Sequence, residues 1–168
     1  MLVFFEMISV RIATHKDISI LLEFEQGLIE AERPMDHLLK IGKTNYYNLP
    51  KMLDNDNIAM VIAEIDGKPV GCGYAKIIKA LQCFTYEYFS YLGFMYTVPE
   101  ARQKGVNKAV VAYLYEWSAS RGVYEARLDV YPNNTAAIKS YEKSRMKTGL
   151  HIIRVDLREL KGKELSEK

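Results

Sequence analysis

Between Thr97 and Gly105 the chain reads Thr-Val-Pro-Glu-Ala-Arg-Gln-Lys-Gly, passing from an aromatic-rich extended stretch into a strongly amphipathic helix. A helix start leaves its first backbone N–H groups unpaired and carries the positive end of the helix dipole. The turn Arg102-Gln103-Lys104-Gly105-Val106-Asn107, with Lys108 behind it, can therefore hold a pyrophosphate by main chain alone. Further on, Asn134, Ala137 and Tyr141 fall on one helical stripe, an amide, a methyl and a phenol on a single face. A phenol in such a place can act as an acid toward a departing thiolate: with an unperturbed pKa near 10, against about 8.5 for a thiol, it still holds its proton when the thiolate forms.

These groups need elements to position them. Residues 8 to 13 predict a first strand, Thr14-His15-Lys16-Asp17 has capping-box spacing, and Ile18, Leu21, Leu22, Leu28 and Ile29 recur at helical spacing until Arg33-Pro34 breaks the pattern. Residues 35 to 56 read as short helices and loops. Two β-rich runs, 58 to 65 and 69 to 81, flank Asp66-Gly67 and predict a hairpin. Another extended segment spans 86 to 98 and carries Tyr86, Tyr88, Phe89, Tyr91, Phe94 and Tyr96. Val106, Ala109, Val110, Tyr113, Leu114 and Trp117 predict a helix over 103 to 119, with Gly122 as its cap. Residues 124 to 131 read as a strand, Pro132-Asn133-Asn134 as a turn and cap, 135 to 143 as a short helix, and 149 to 157 as a closing strand. Helices interleaved with hairpin-linked strands imply an α/β (α+β) architecture, a mixed sheet with helices on its faces.

The chain has 168 residues, 49% hydrophobic and 26% charged, which suits one soluble domain over 1–168 with a core at 8–157 and a frayed tail at 161–168. A net charge of +2 lacks the clustered positive charge of a nucleic-acid binder. Cys72 and Cys83 have no metal-ligand spacing and read as free thiols in a reducing cytoplasm, although spacing leaves a disulfide between them open. The apolar start is interrupted by Glu6 and resembles neither a signal peptide nor a membrane span, so the expected location is cytoplasmic.

The turn and the later stripe, in this order, resemble the GNAT superfamily of acetyl-coenzyme A-dependent N-acetyltransferases. Arg102-Gln103-Lys104-Gly105-Val106-Asn107 matches that family's signature turn except at the last place, and Leu128-Asp129-Val130 follows it. The segment from Asn134 to Lys143 is similar to the family's Asn, Ala, Tyr and Glu-Lys pattern, and 63 to 71 to its central hairpin. The resemblance implies a mostly antiparallel sheet of six to seven strands, about four helices, and a splayed strand pair that forms the coenzyme cleft. It further implies that residues 103 to 108 cradle the pyrophosphate and that the main chain of Met95, Tyr96, Thr97 and Val98 bonds the pantetheine arm. Asn134 and Ala137 would line the arm, and Tyr141 would face the thioester sulfur as general acid. Direct attack by a neutral amine is implied, with a backbone N–H near Tyr96 or Val98 polarising the carbonyl and no metal.

Three positions depart from the family. Asn107 replaces glycine or alanine in the turn, Ser144-Arg145-Met146 replaces a glycine-phenylalanine pair, and Tyr91 stands where many members carry a proton-relaying glutamate. An alkyl ammonium with a pKa around 10 must still lose a proton before it attacks. Glu87 shares the face of Tyr91 by alternation and could act through water, while Glu30, Glu32 and Asp36 border the acceptor region in the family. His15, His37 and His151 have no partner at a telling spacing. The acceptor, a small molecule or a protein amine, is not legible, and the aromatic strand or the last strand could support a homodimer. Competing readings are a coenzyme A-binding module without turnover and, less favoured for want of basic residues among the aromatics, a single-stranded RNA-binding sheet.

Overall fold

The structure is a computed structural model describing residues 7–155 and 157. A five-stranded sheet has the order β1 (Ile8–Ile12), β2 (Ile58–Ile65), β3 (Lys68–Lys79), β4 (Tyr88–Thr97) and β5 (Ala126–Arg127). The first three junctions are antiparallel and β4–β5 is parallel. Helices α1 (Ile18–Glu32) and α3 (Val106–Ser120) pack against the sheet, with a short α2 (Leu49–Leu53) and α4 (Thr135–Lys143) completing the set.

Period-two alternation explains why β2 reads as a continuous apolar run from Ile58 to Ala63, because both of its faces are covered. Ala59, Val61, Ala63 and Ile65 join Val106, Val110 and Leu114 of α3, whereas Met60 and Ile62 join Leu21 and Phe24 of α1. Each fully buried side chain of the size of Leu114 or Leu21 contributes about 2 kcal/mol of transfer free energy. The hairpin turn is as predicted: Asp66 at φ 50° and Gly67 at φ 75° form the pair of left-handed residues that a two-residue connection requires. At the entry to α1 the Asp17 carboxylate accepts the Thr14 backbone N–H at 2.7 Å and an Arg11 guanidinium at 2.8 Å. The arginine lowers the Asp17 pKa to about 2 against the opposing cost of burial.

Four expectations need correction. The sheet has five strands among the described residues rather than six to seven. The strand expected over 124 to 131 is reduced to Ala126–Arg127, because only Ser90 and Tyr91 of β4 lie alongside it. The closing stretch, 149 to 155, has no strand partner among the described residues and is solvent-exposed, with Leu150 at 93% and Ile153 at 90% exposure. Fourth, α3 starts at Val106 rather than residue 103, since Gln103 (φ 65°) and Gly105 (φ 93°) are left-handed and cannot continue a right-handed helix. Its end is as expected: Gly122 sits at φ 73° and the Val123 N–H reaches back to the Ser118 carbonyl at 3.0 Å. The predicted tail at 161–168 lies outside the described residues.

Candidate active site

Strand β4 sets the site. Its register against β3 shifts between Cys72 and Tyr74, so that one residue, Gly73, faces two on β4. The extra residue is absorbed at Phe94, whose φ is 53°. The consequence appears in the packing: Leu92 joins the α3-side core, Phe94 the α1-side core and Met95 the α3 side again. Alternation alone would put Leu92 and Phe94 on one face. Beyond this bulge the outer edge of β4 has no strand partner among the described residues, whereas before it Ser90 and Tyr91 pair with β5. The two strands are therefore splayed, and the Met95–Thr97 main chain borders the opening.

The far end of β4 leads through Pro99–Ala101 into the turn. No side chain caps the first N–H groups of α3, and Gly105 at its N-cap takes a backbone angle that other residues adopt only at a cost. Val106 beneath is 1% exposed and anchors the turn, while Gln103, Lys104, Gly105 and Lys108 lie on the surface. Arg102 folds back to donate from Nε to the Thr97 carbonyl at 3.2 Å. Asn107, which could have narrowed the turn, is drawn aside by a hydrogen bond to Ser140 Oγ at 2.9 Å. The residues present therefore leave main-chain donors accessible to an anion.

Beside the start of α3, to which the Asn107–Ser140 bond ties it, α4 runs Thr135–Lys143 with the same bounds as predicted, capped by Asn134 Oδ1, which accepts the Ala137 N–H at 3.2 Å. Tyr141 on this helix is half-buried, and its hydroxyl has no hydrogen-bond partner among the described residues. Burial, and secondarily the nearby Glu32 charge, push its pKa up to about 12. Of the two amides expected to polarise a carbonyl, that of Val98 is spent on the Val70 carbonyl at 2.9 Å, which removes it from that role.

The proposed acceptor residues separate into two sets. Glu32 and Asp36 come together at the end of α1: Tyr46 donates its hydroxyl to Glu32 at 2.9 Å, and Tyr131 donates to Asp36 at 3.0 Å. Arg154 clamps Asp36 with two bonds, at 2.9 and 3.0 Å, and this guanidinium holds the Asp36 carboxyl well below the usual range. Glu32 moves the other way, its pKa raised by burial and by Asp36 despite the Tyr46 bond. Glu30 does not join them; it is 68% exposed and paired with Arg33 at 2.9 Å. Glu87 is also apart, exposed just before β4 beside Tyr86, Tyr88 and Tyr124. At about 3.3 Å per residue it lies roughly 30 Å along the strand from Thr97. Tyr91 lies between, donating to Asp129 at 2.9 Å, with a Tyr74 ring 6.4 Å away.

Several residues escaped sequence reading. Glu25 is fully buried and accepts the Tyr46 and Tyr47 N–H groups at 2.7 and 2.8 Å and Asn45 Nδ2 at 2.6 Å. It thereby fixes the loop that carries Tyr46. Tyr47 from the same loop stacks on Phe94 at 4.9 Å, and the buried Cys72 thiol donates to the Phe94 carbonyl at 3.4 Å, so both brace the bulge. The partners of these groups lie far along the chain, and only the buried-polar character of Glu25 on an apolar helix face could have flagged it. Phe84, together with Tyr86 and Phe89 of the aromatic run, holds the Arg127 guanidinium at 5.0, 5.5 and 4.5 Å.

Known proteins share this fold. A "predicted acetyltransferase with acetyl-CoA" from Clostridium acetobutylicum superposes with a TM-score of 0.70 at 19% identity, over 91% of this chain and 98% of its own. The structure of AAC(6')-Iy with the bisubstrate analogue CoA-S-monomethyl-acetylneamine superposes with a TM-score of 0.68 at 23% identity, over 89% of this chain and 97% of that one. In sequence, an aminoglycoside N(6')-acetyltransferase type 1 of Salmonella typhimurium is 27% identical over 100 residues, 55% of this chain. The match spans 64% of that relative's length, less than two thirds. A family model described as Acetyltransferase (GNAT) family matches residues 23–145, which include the bulge, the turn, Asn134 and Tyr141. The chain belongs to the GNAT acetyltransferase family.

Proposed function

We propose that the chain is an acetyl-CoA-dependent N-acetyltransferase acting on a primary amine of a polar small molecule. The observation that carries this is the uncapped start of α3 placed at the end of a β4 edge that the Phe94 bulge leaves open, tied through Asn107 to the helix that carries the Tyr141 phenol. The aminoglycoside acetyltransferase relative supports an amine acceptor.

Acetyl-CoA, when bound, supplies a thioester whose acyl carbon the amine attacks. The N–H groups of residues 103 to 108 hold its pyrophosphate with the helix dipole, and Arg102, Lys104 and Lys108 add positive charge around them. Main-chain groups of Met95, Tyr96 and Thr97 pair with the pantetheine amides, with Asn134 and Ala137 on the opposite wall. A backbone N–H of the 94–96 stretch polarises the acetyl oxygen.

Tyr141 gives its proton to the departing sulfur. At a pKa of about 12 it stays protonated throughout the working range. A stepwise transfer to a thiolate of pKa about 8.5 is uphill by about 5 kcal/mol, so the phenol must regain a proton from the attacking nitrogen as it gives its own.

The experiment is calorimetric titration with acetyl-CoA together with thiol release over a panel of amines. Binding plus acceptor-dependent release is expected. Binding without release across the panel overturns the enzyme reading in favour of a coenzyme-binding module.

A further inference from the structure

Five carboxylates surround the acceptor side or were candidates for it, and their environments differ. Glu87 stands at the other end of β4, and Glu30 is exposed and neutralised by Arg33. Asp36 is 5% exposed, but its oxygens are taken by Arg154, Tyr131 and the Leu38 N–H, which stabilise the ionised form and make it a poor proton acceptor. Asp129 is exposed and accepts from Tyr91. Glu32 remains. It is half-buried, takes one hydrogen bond from Tyr46 and pairs with no cation among the described residues, since the Arg33 guanidinium bonds Glu30 and the carbonyls of Lys40 and Gly42. The groups facing it are Tyr46 and Tyr47 of the loop, Asp36 with its Arg154, Tyr131 and, from α4, Tyr141.

We infer that Glu32 takes the proton from the acceptor ammonium, with the Tyr46 hydroxyl as its positioning partner, an assignment that rests on the acetyl-transfer reading above. The ammonium N–H bond breaks and its proton passes to a Glu32 oxygen. The freed lone pair forms the C–N bond. The C–S bond breaks as Tyr141 protonates the sulfur, Tyr141 is reprotonated by the second proton of the nitrogen, and Glu32 releases its own to water. One ammonium and one thioester give an amide, a thiol and one proton. The raised pKa of Glu32 makes its carboxylate a stronger base than an ordinary one. The Tyr46 bond favours the ionised form, so removing it raises the pKa further.

The test uses the full chain. In a carboxyl carbon-13 titration of protein without ligands, the resonance lost in Glu32→Gln is expected to titrate above the ordinary carboxylate range, and higher still in Tyr46→Phe. With acetyl-CoA and neamine, Glu32→Gln lowers kcat/KM for the amine about 100-fold at neutral pH and loses the acid limb set by Glu32, leaving in its place a limb at higher pH set by solvent deprotonation of the amine. Tyr46→Phe keeps the limb and moves it to higher pH. An ordinary Glu32 titration, a Glu32→Gln rate within about threefold of the parent, or an acid limb lost in Asp129→Asn instead overturns the assignment. A parent chain that binds acetyl-CoA but releases no thiol with any amine overturns the acetyl-transfer reading, and the Glu32 role with it.

Discussion

Asn107 Nδ2 donates to Ser140 Oγ at 2.9 Å, tying the first turn of α3 to the helix that carries the adjacent Tyr141. The residue that breaks the family's turn pattern thus serves as a strut between the anion-binding end and the phenol. Its side chain is directed at α4 rather than over the helix start. Asn107→Ala is therefore expected to cost about 1 kcal/mol of stability, to leave acetyl-CoA affinity nearly unchanged and to lower kcat by loosening α4. Thermal unfolding, calorimetry and turnover separate these effects, and a double-mutant cycle with Ser140→Ala should show coupling. A large gain in affinity would mean that Asn107 obstructs the phosphate after all.

Tyr141→Phe keeps the ring packing of a half-buried residue and removes only the hydroxyl, which takes no partner among the described residues. Stability and acetyl-CoA affinity should hardly move, while kcat falls by about two orders of magnitude or more. Calorimetry beside steady-state thiol release checks this, and an unchanged kcat would exclude the phenol as the acid.

Arg145 stands where the family uses glycine, and it keeps the left-handed conformation, with φ at 67°. The Met146 N–H bonds the Tyr141 carbonyl at 3.1 Å and the Arg145 N–H bonds Glu142 at 2.9 Å, so the helix end closes despite the substitution. Holding a side chain there costs on the order of 1 kcal/mol. Arg145→Gly should therefore raise stability by up to about 1 kcal/mol in denaturant unfolding with little change in activity.

The bounds of α4 were readable because Asn134 is a strong cap and the helix ends in a local motif. The Asp66-Gly67 turn was readable for the same reason: its chemistry is contained in adjacent residues. The bulge was not, since Phe94 is no sign of a left-handed residue. Nor could the Asp36 clamp be read, because Arg154 and Tyr131 reach it from 118 and 95 residues away. The final strand was inferred from apolar alternation alone, which cannot reveal whether a neighbouring edge exists to receive it.

Glu25 is a carboxylate at 0% exposure inside an otherwise apolar helix face, and its three donors all come from residues 45 to 47. Those residues include Tyr46, the partner of Glu32, and Tyr47, which stacks on the bulge residue Phe94. Glu25→Gln preserves size but replaces one accepting oxygen with an NH2 group, which must then face a donor. The loop should detach at a cost of about 2–4 kcal/mol, releasing Tyr46 from Glu32 and Tyr47 from the bulge together. The turn from Arg102 to Lys108 is built from other elements and should retain acetyl-CoA binding. The expected pattern is a lower unfolding midpoint, a several-fold higher KM for the amine and an almost unaltered dissociation constant for acetyl-CoA. Equal losses for both substrates would instead show that the loop supports the whole cleft rather than its acceptor side.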